Sequence, residues 1–102
     1  MTNNEYMEFC LSLCTVADFE DMETMAALGI AGEAGEVVDC IKKIRFSTFP
    51  EKVEKARGNL TKEIGDLLYY VNILCHVHNV SLEQIMQENV DKLNERYGKN
   101  GN

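Results

Sequence analysis

Proline occurs once in the 102 residues, glycine seven times and tryptophan not at all. So few helix breakers exclude a low-complexity or collagen-like chain, and 45% hydrophobic with 26% charged residues marks a packed globular protein. At this length one core and one domain are expected, spanning residues 1–102. A run of about 18 apolar residues is missing, which excludes a membrane-spanning helix. The N-terminal Met-Thr-Asn-Asn-Glu lacks the basic and apolar regions of a signal peptide, so the expected location is the cytoplasm. Cations are scarce: ten Lys and Arg against seventeen Asp and Glu leave a net charge of −7. That balance opposes attraction to nucleic-acid backbones and anionic lipid, so neither nucleic acid nor membrane is an expected partner. Nor is there a Cys-x-x-Cys pair; Cys10, Cys14, Cys40 and Cys75 fall within apolar helical patterns and read as reduced core residues.

What is present is helical periodicity. Tyr6, Phe9, Cys10, Leu13, Val16 and Ala17 follow the spacing of a first amphipathic helix, with a turn expected over Asp18 to Asp21. A second helix is expected from about Met22 to Arg45. Pro50 breaks the pattern, and a third helix runs from between Glu51 and Thr61 to His78, with Gly58-Asn59 either starting or interrupting it. Ser81 is a good N-cap for a fourth helix whose stripe is Leu82, Ile85, Met86, Val90, Leu93 and Tyr97, ending at Gly98. No period-2 pattern of useful length competes. The expectation is an all-α, four-helix bundle-like fold with two long central antiparallel helices, completing its small core by oligomerising. Gly29, Gly32 and Gly35 recur every third residue in the second helix, which suggests close approach of another helix.

Two of the apolar stripes contain acids. On a wheel at about 100° per residue, Met22, Ala26, Ile30, Val37, Cys40 and Ile44 cluster within a sector about 80° wide, and Glu33 falls inside it. In the third helix Ala56, Leu60, Leu67, Tyr70, Val71 and Leu74 form the stripe and Glu63 lies within it. Each has a second carboxylate three residues later, Glu36 and Asp66, on the flank of the stripe about 60° away. Four carboxylates facing one another repel strongly unless a cation gathers them. Ordinary surface acids, or acids paired with Lys43 or Lys62, are the alternative. All-oxygen ligation suits a hard cation, Mg²⁺ or Mn²⁺, rather than Zn²⁺. A di-iron bundle would need a Glu-x-x-His in each of two helices, and neither acid pair contains histidine. In the fourth helix Asn89, Lys92 and Arg96 share one edge of the apolar stripe, either as boundary residues or as contacts for phosphate.

With these residues in view, Gly32-Glu-Ala-Gly-Glu-Val-Val-Asp39 and Lys62-Glu-Ile-Gly-Asp-Leu-Leu-Tyr-Tyr70 resemble the Glu-x-x-Glu…Glu-x-x-Asp signature of the MazG-like all-α nucleoside triphosphate pyrophosphohydrolases. Asn89-Val-Asp-Lys-Leu-Asn-Glu-Arg-Tyr97 is similar to that family's final helix, and the likeness extends over about residues 22 to 97. The resemblance implies hydrolysis of a nucleoside or deoxynucleoside triphosphate to the monophosphate and pyrophosphate, with Mg²⁺ held by Glu33, Glu36, Glu63 and Asp66. It implies that Glu33 or Glu36 takes the proton of the attacking water, Glu36 being the expected base. Lys92 and Arg96 would stabilise the triphosphate, and Asn89 and Tyr70 would touch sugar or base. A homodimer or homotetramer with sites lined by more than one subunit is also implied.

One departure bears on specificity. Members selective for pyrimidine deoxynucleotides resemble one another in having tryptophans around the base; here Tyr6, Phe9, Phe19 and Tyr70 are the aromatics available. The competing expectations are a phosphoribosyl-ATP pyrophosphatase, which has a similar acid arrangement, and a non-catalytic helical interaction module. Setting aside the four cluster acids leaves thirteen acids against ten bases, a net −3. Much of the chain's acidity is thus concentrated in what reads as metal-holding apparatus.

Overall fold

The computed structural model describes residues 1–98, so the last four residues of the expected domain lie outside the described residues. It is all helical: α1 is Asn3–Leu13, α2 Phe19–Phe46, α3 Pro50–Val77 and α4 Leu82–Tyr97. No described helix is long and apolar enough to cross a membrane.

Local chemistry sets the helix ends. Thr2 and Glu5 form a reciprocal capping box at α1: the Glu5 amide donates to Thr2 Oγ1 at 3.1 Å and the Thr2 amide to Glu5 Oε1 at 2.7 Å. Asp18 accepts from the amides of Glu20 (2.9 Å) and Asp21 (3.2 Å). The segment expected as a turn is therefore a cap plus a first helical turn, and α2 begins at Phe19 rather than Met22. Pro50 takes the first position of α3, where its missing N–H is no loss. Gly58-Asn59 neither starts nor interrupts that helix, which runs unbroken through both. Ser81 caps α4 through the Gln84 amide at 3.0 Å, and Gly98 closes it in the left-handed region at φ 57°.

The short connection after Phe46 turns α3 back along α2, and these two helices make by far the most extensive pairing in the fold. Gly29 against Tyr70, Glu33 with Glu63 and Cys40 beside Ala56 trace one antiparallel register along the pair. At one end Cys10 of α1 joins Met22, Ala26 and Ile73 in the core, with Tyr6, Met25, Tyr69 and Leu74 packed around it. Toward the connection the interior narrows to Cys40 and Ala56. All four cysteines are free thiols, three of them buried. The interior of α3 also carries Asn72, fully buried, its amide reaching Cys10 Sγ at 3.8 Å.

Of the glycines in the triplet, only Gly29 meets a neighbour. A Cβ built there would stand within 2.5 Å of the Tyr70 ring, whereas at Gly32 and Gly35 nothing lies within 4 Å. The close approach expected of all three is, within one protomer, a property of Gly29. Gly29→Val is expected to separate α2 from the Tyr70 ring and destabilise the protein by about 1–3 kcal/mol. For a chain of this size each such kcal/mol lowers the melting temperature by roughly 4–8 °C, measurable by circular dichroism.

The fourth helix stands apart. It contributes no buried residue and makes no extensive pairing with either long helix; Ile85 borders a hollow with Val71, Leu74 and Cys75 of α3, and Asn3 Nδ2 of α1 donates to Glu83 Oε1 at 2.6 Å. Its stripe residues Ile85, Met86, Val90 and Leu93 are exposed. The Cα radius of gyration is correspondingly 16.9 Å, against the roughly 13 Å of a compact chain of this length.

Candidate metal and substrate site

Between the two apolar ends of the hairpin lie the acids. Glu33 projects from α2 and Glu63 and Asp66 from α3, and one carboxylate oxygen from each falls within 4.8 Å of the others. Glu33 and Glu63 are half-buried, and Asp66 is exposed at the mouth. A buried oxygen of Glu33, Oε2, has no hydrogen-bond partner. That is costly for a carboxylate in a site partly screened from water. Among the described residues no cation forms an ion pair with Glu33, Glu63 or Asp66; Lys43, one candidate, is engaged by Asp39 at 2.8 Å.

Glu33 registers the crowding. Burial, then the charge of Asp66, the carboxyl contact with Glu63, and the charges of Glu63 and Glu36 hold its pKa above the ordinary 4.5. A group whose pKa is raised by folding contributes stability while protonated and loses that contribution as the pH rises through its folded value. In the metal-free protein, wild type should therefore lose stability relative to Glu33→Gln as the pH climbs above 4.5. A divalent cation reverses the sign, because ligation favours the ionised form. The rise in melting temperature on adding Mg²⁺ should accordingly be larger at about pH 8 than at about pH 5, and small in Glu33→Gln. Melts that show no Mg²⁺ effect at either pH would contradict a metal site here.

Glu36 stands outside the tight trio. It is exposed, on the flank of the stripe, close enough for its charge to reach Glu33. Three carboxylates at coordinating distance with a fourth at the rim match an all-oxygen site for a hard divalent cation, and the orphaned Glu33 oxygen is the atom such an ion would satisfy.

Beside Asp66 opens a cleft of 690 Å³ lined by Tyr6, Phe9 and Leu13 of α1 and by Lys62, Gly65, Asp66 and Tyr69 of α3. The volume lies within the roughly 300–1,000 Å³ of small-molecule sites. The pKa of the Tyr6 phenol is pushed up to about 12, by burial first, then by Cys10, with a contribution from the Asp66 charge. Phe9, on the wall of the cleft, is 53% exposed.

The residues singled out in the sequence divide into three groups. Glu33, Glu63 and Asp66 are brought together, and Glu36 is brought near. Tyr70 faces Gly29 and the edge of Tyr69, centroid to centroid 5.0 Å, so it packs between the long helices. Asn89, Lys92 and Arg96 lie exposed on α4, form no ion pair with the acids and do not line the cleft beside Asp66. Tyr69 and Lys62, not assigned to a site from the sequence, border the cleft. The signal for Tyr69 was its position three residues after Asp66, one turn along the same face. The histidines are remote from the acids: His78 Nε2 pairs with Glu23 at 2.6 Å and His76 sits edge-on to Phe19.

The family model for the MazG nucleotide pyrophosphohydrolase domain matches residues 21–100, taking in both acid pairs and α4 and leaving α1 outside. No curated protein and no solved structure matches the chain.

Proposed function

The chain belongs to the MazG nucleotide pyrophosphohydrolase family, and from that premise we propose that it hydrolyses a nucleoside or deoxynucleoside triphosphate to the monophosphate and pyrophosphate in the cytoplasm. The observation that carries the reading is the trio Glu33, Glu63 and Asp66 at mutual ligand distance, one oxygen orphaned, beside a cleft of nucleotide dimensions. Mg²⁺, or Mn²⁺, would be held by these three with Glu36. Bound there, the ion supplies positive charge to phosphate oxygens and lowers the pKa of a water.

The protein's own residues do the rest. Glu36, at the exposed rim and outside the tight trio, is free to accept the proton of the attacking water. Tyr6, Phe9 and Tyr69 offer faces and an O–H group to the base or sugar, and Lys62 offers a charge to a phosphate near Asp66. Lys92 and Arg96 serve the triphosphate from α4 of a second copy. The exposed stripe of α4 and the extended protomer support that arrangement, because a helix with no buried residue gains its stability by covering an apolar face elsewhere. A homodimer is the simplest assembly that does so, and a homotetramer repeats it.

The test is a panel of NTPs, dNTPs, modified nucleotides and phosphoribosyl-ATP, incubated with protein and Mg²⁺, with pyrophosphate and orthophosphate measured separately. Pyrophosphate release from a triphosphate is expected. Release from phosphoribosyl-ATP alone would move the protein to that reaction, and release from nothing on the panel would favour a non-catalytic module.

A further inference from the structure

In an acidic protein the cations are unevenly placed. Lys42, Lys43, Arg45, Lys52, Lys55 and Arg57 are six of the ten, and all fall in the sixteen residues around the α2–α3 connection. Three of them, Lys43, Lys52 and Lys55, rim one recess of 240 Å³ whose other walls are Cys40, Ala56 and Asn59. The recess exists because its floor is made of small buried side chains, Cys40 at 8% exposure and Ala56 at 3%. Asp39 binds Lys43 and, at 3.8 Å, Lys42; Lys52 lies over the Phe49 ring at 4.9 Å. Neither Lys52 nor Lys55 has a carboxylate partner among the described residues. Three lysine side chains with one carboxylate between them therefore border a common hollow, the Lys43 ammonium held by Asp39 and the Lys52 ammonium over Phe49.

We propose that this recess is an anion site for a compact, multiply charged phosphate of the pyrophosphate class. Its volume is below the roughly 300–1,000 Å³ of sites that take a whole drug-sized or nucleotide ligand. It holds no aromatic ring for a base to stack on, and its donors are lysines, point charges that suit a compact polyanion better than the planar fork of a carboxylate. Asn59 adds an amide donor at the wall. Position supplies the rest: Cys40 lies one turn beyond Glu36 on α2 and Asn59 one turn before Glu63 on α3, so the recess adjoins the acid cluster on the side of the connection. The choice of pyrophosphate as occupant rests on the hydrolytic reading, in which that anion is released one helical turn away.

The experiment is calorimetric titration of pyrophosphate, orthophosphate and ATP, each alone, into metal-free full-length protein. Saturable binding of pyrophosphate is expected, tighter than that of orthophosphate or ATP. In Lys52→Ala/Lys55→Ala it should weaken by roughly a hundredfold, two charge-assisted contacts being lost. Both lysines are exposed, and an unchanged melting curve will show the fold is retained. Glu33→Gln/Glu63→Gln, measured without metal, should bind at least as tightly as wild type. Absent binding, or binding indifferent to the two lysines, overturns the site even if the protein turns over nucleotides. Lysine-dependent binding in a protein that releases no pyrophosphate from any nucleotide keeps the site and overturns the hydrolytic reading alone. Tighter binding of ATP than of pyrophosphate overturns the choice of occupant.

Discussion

Glu63→Gln is expected to reduce Mg²⁺-dependent pyrophosphate release by roughly a hundredfold to a thousandfold while leaving the fold intact. The substitution preserves shape and removes one anionic oxygen from the centre of the trio, where Glu63 meets Glu33 across the hairpin and Asp66 one turn along its own helix. The metal-free variant should melt no lower than wild type, because deleting one of several mutually repelling carboxylates relieves the field that raises the Glu33 pKa. Its response to Mg²⁺ should be lost together with activity. Glu36→Gln separates the roles: as a proton acceptor at the rim, its loss should abolish turnover and leave most of the Mg²⁺-induced rise in melting temperature. If both variants lose stabilisation and activity in parallel, Glu36 holds the metal as firmly as Glu63 does, and its part as the base loses its support. Turnover unchanged in both would place the chemistry elsewhere.

The acid cluster was legible in the sequence because helical periodicity reports which residues share a face without reference to any partner. Glu33 and Glu63 interrupt stripes that are otherwise apolar, and that contradiction survives any error in helix ends; the displaced start of α2 at Phe19 changed nothing about it. The same periodicity could not rank Glu36 against Glu33, since a flank position of about 60° is near or far depending on the crossing of two helices. Tyr69 and Tyr70 show the limit more sharply. Neighbours about 100° apart on a wheel both border the stripe, and only the position of α1 turns Tyr69 toward a cleft while Gly29 admits the Tyr70 ring on the other side. The glycine triplet likewise identifies tight packing only when the partner is known; one of its three members has it within the protomer.

The ends of α4 were readable for a different reason: Ser81 and Gly98 act on backbone groups within a turn of themselves, so their effect is local and independent of tertiary contacts. The same local chemistry at Thr2 and Asp18 escapes a reading by apolar spacing, which carries the first stripe to Val16 and Ala17 past the end of α1 at Leu13 and starts the second helix late. What α4 packs against is the opposite case. Its stripe, its cap and its terminating glycine define the helix fully, yet nothing in those residues specifies which body receives the apolar face.

Mixing two inactive variants addresses that face directly, and activity is expected to return. Glu63→Gln lacks a functional acid cluster but keeps α4, while a Lys92→Ala/Arg96→Ala variant keeps the acids and lacks the cations. If one subunit's α4 completes its partner's site, each mixed dimer contains one doubly damaged site and one wholly intact site. After equal amounts are mixed and exchanged, half the dimers are mixed, so about a quarter of all sites should work, from a starting level near zero. Sites built within single chains would give no recovery at any mixing ratio. The recovery should also require the apolar stripe: carrying Val90→Asp in both partners places a charge on the exposed face of α4 and should abolish both the dimer, by sedimentation, and the complementation. Val90 is 50% exposed in the protomer, so the substitution should leave the helix itself intact. Complementation with a sedimentation profile that stays monomeric would contradict the shared site; a stable dimer that never complements would confine α4 to assembly and assign the phosphate contacts to Lys62 and the lysines near the α2–α3 connection.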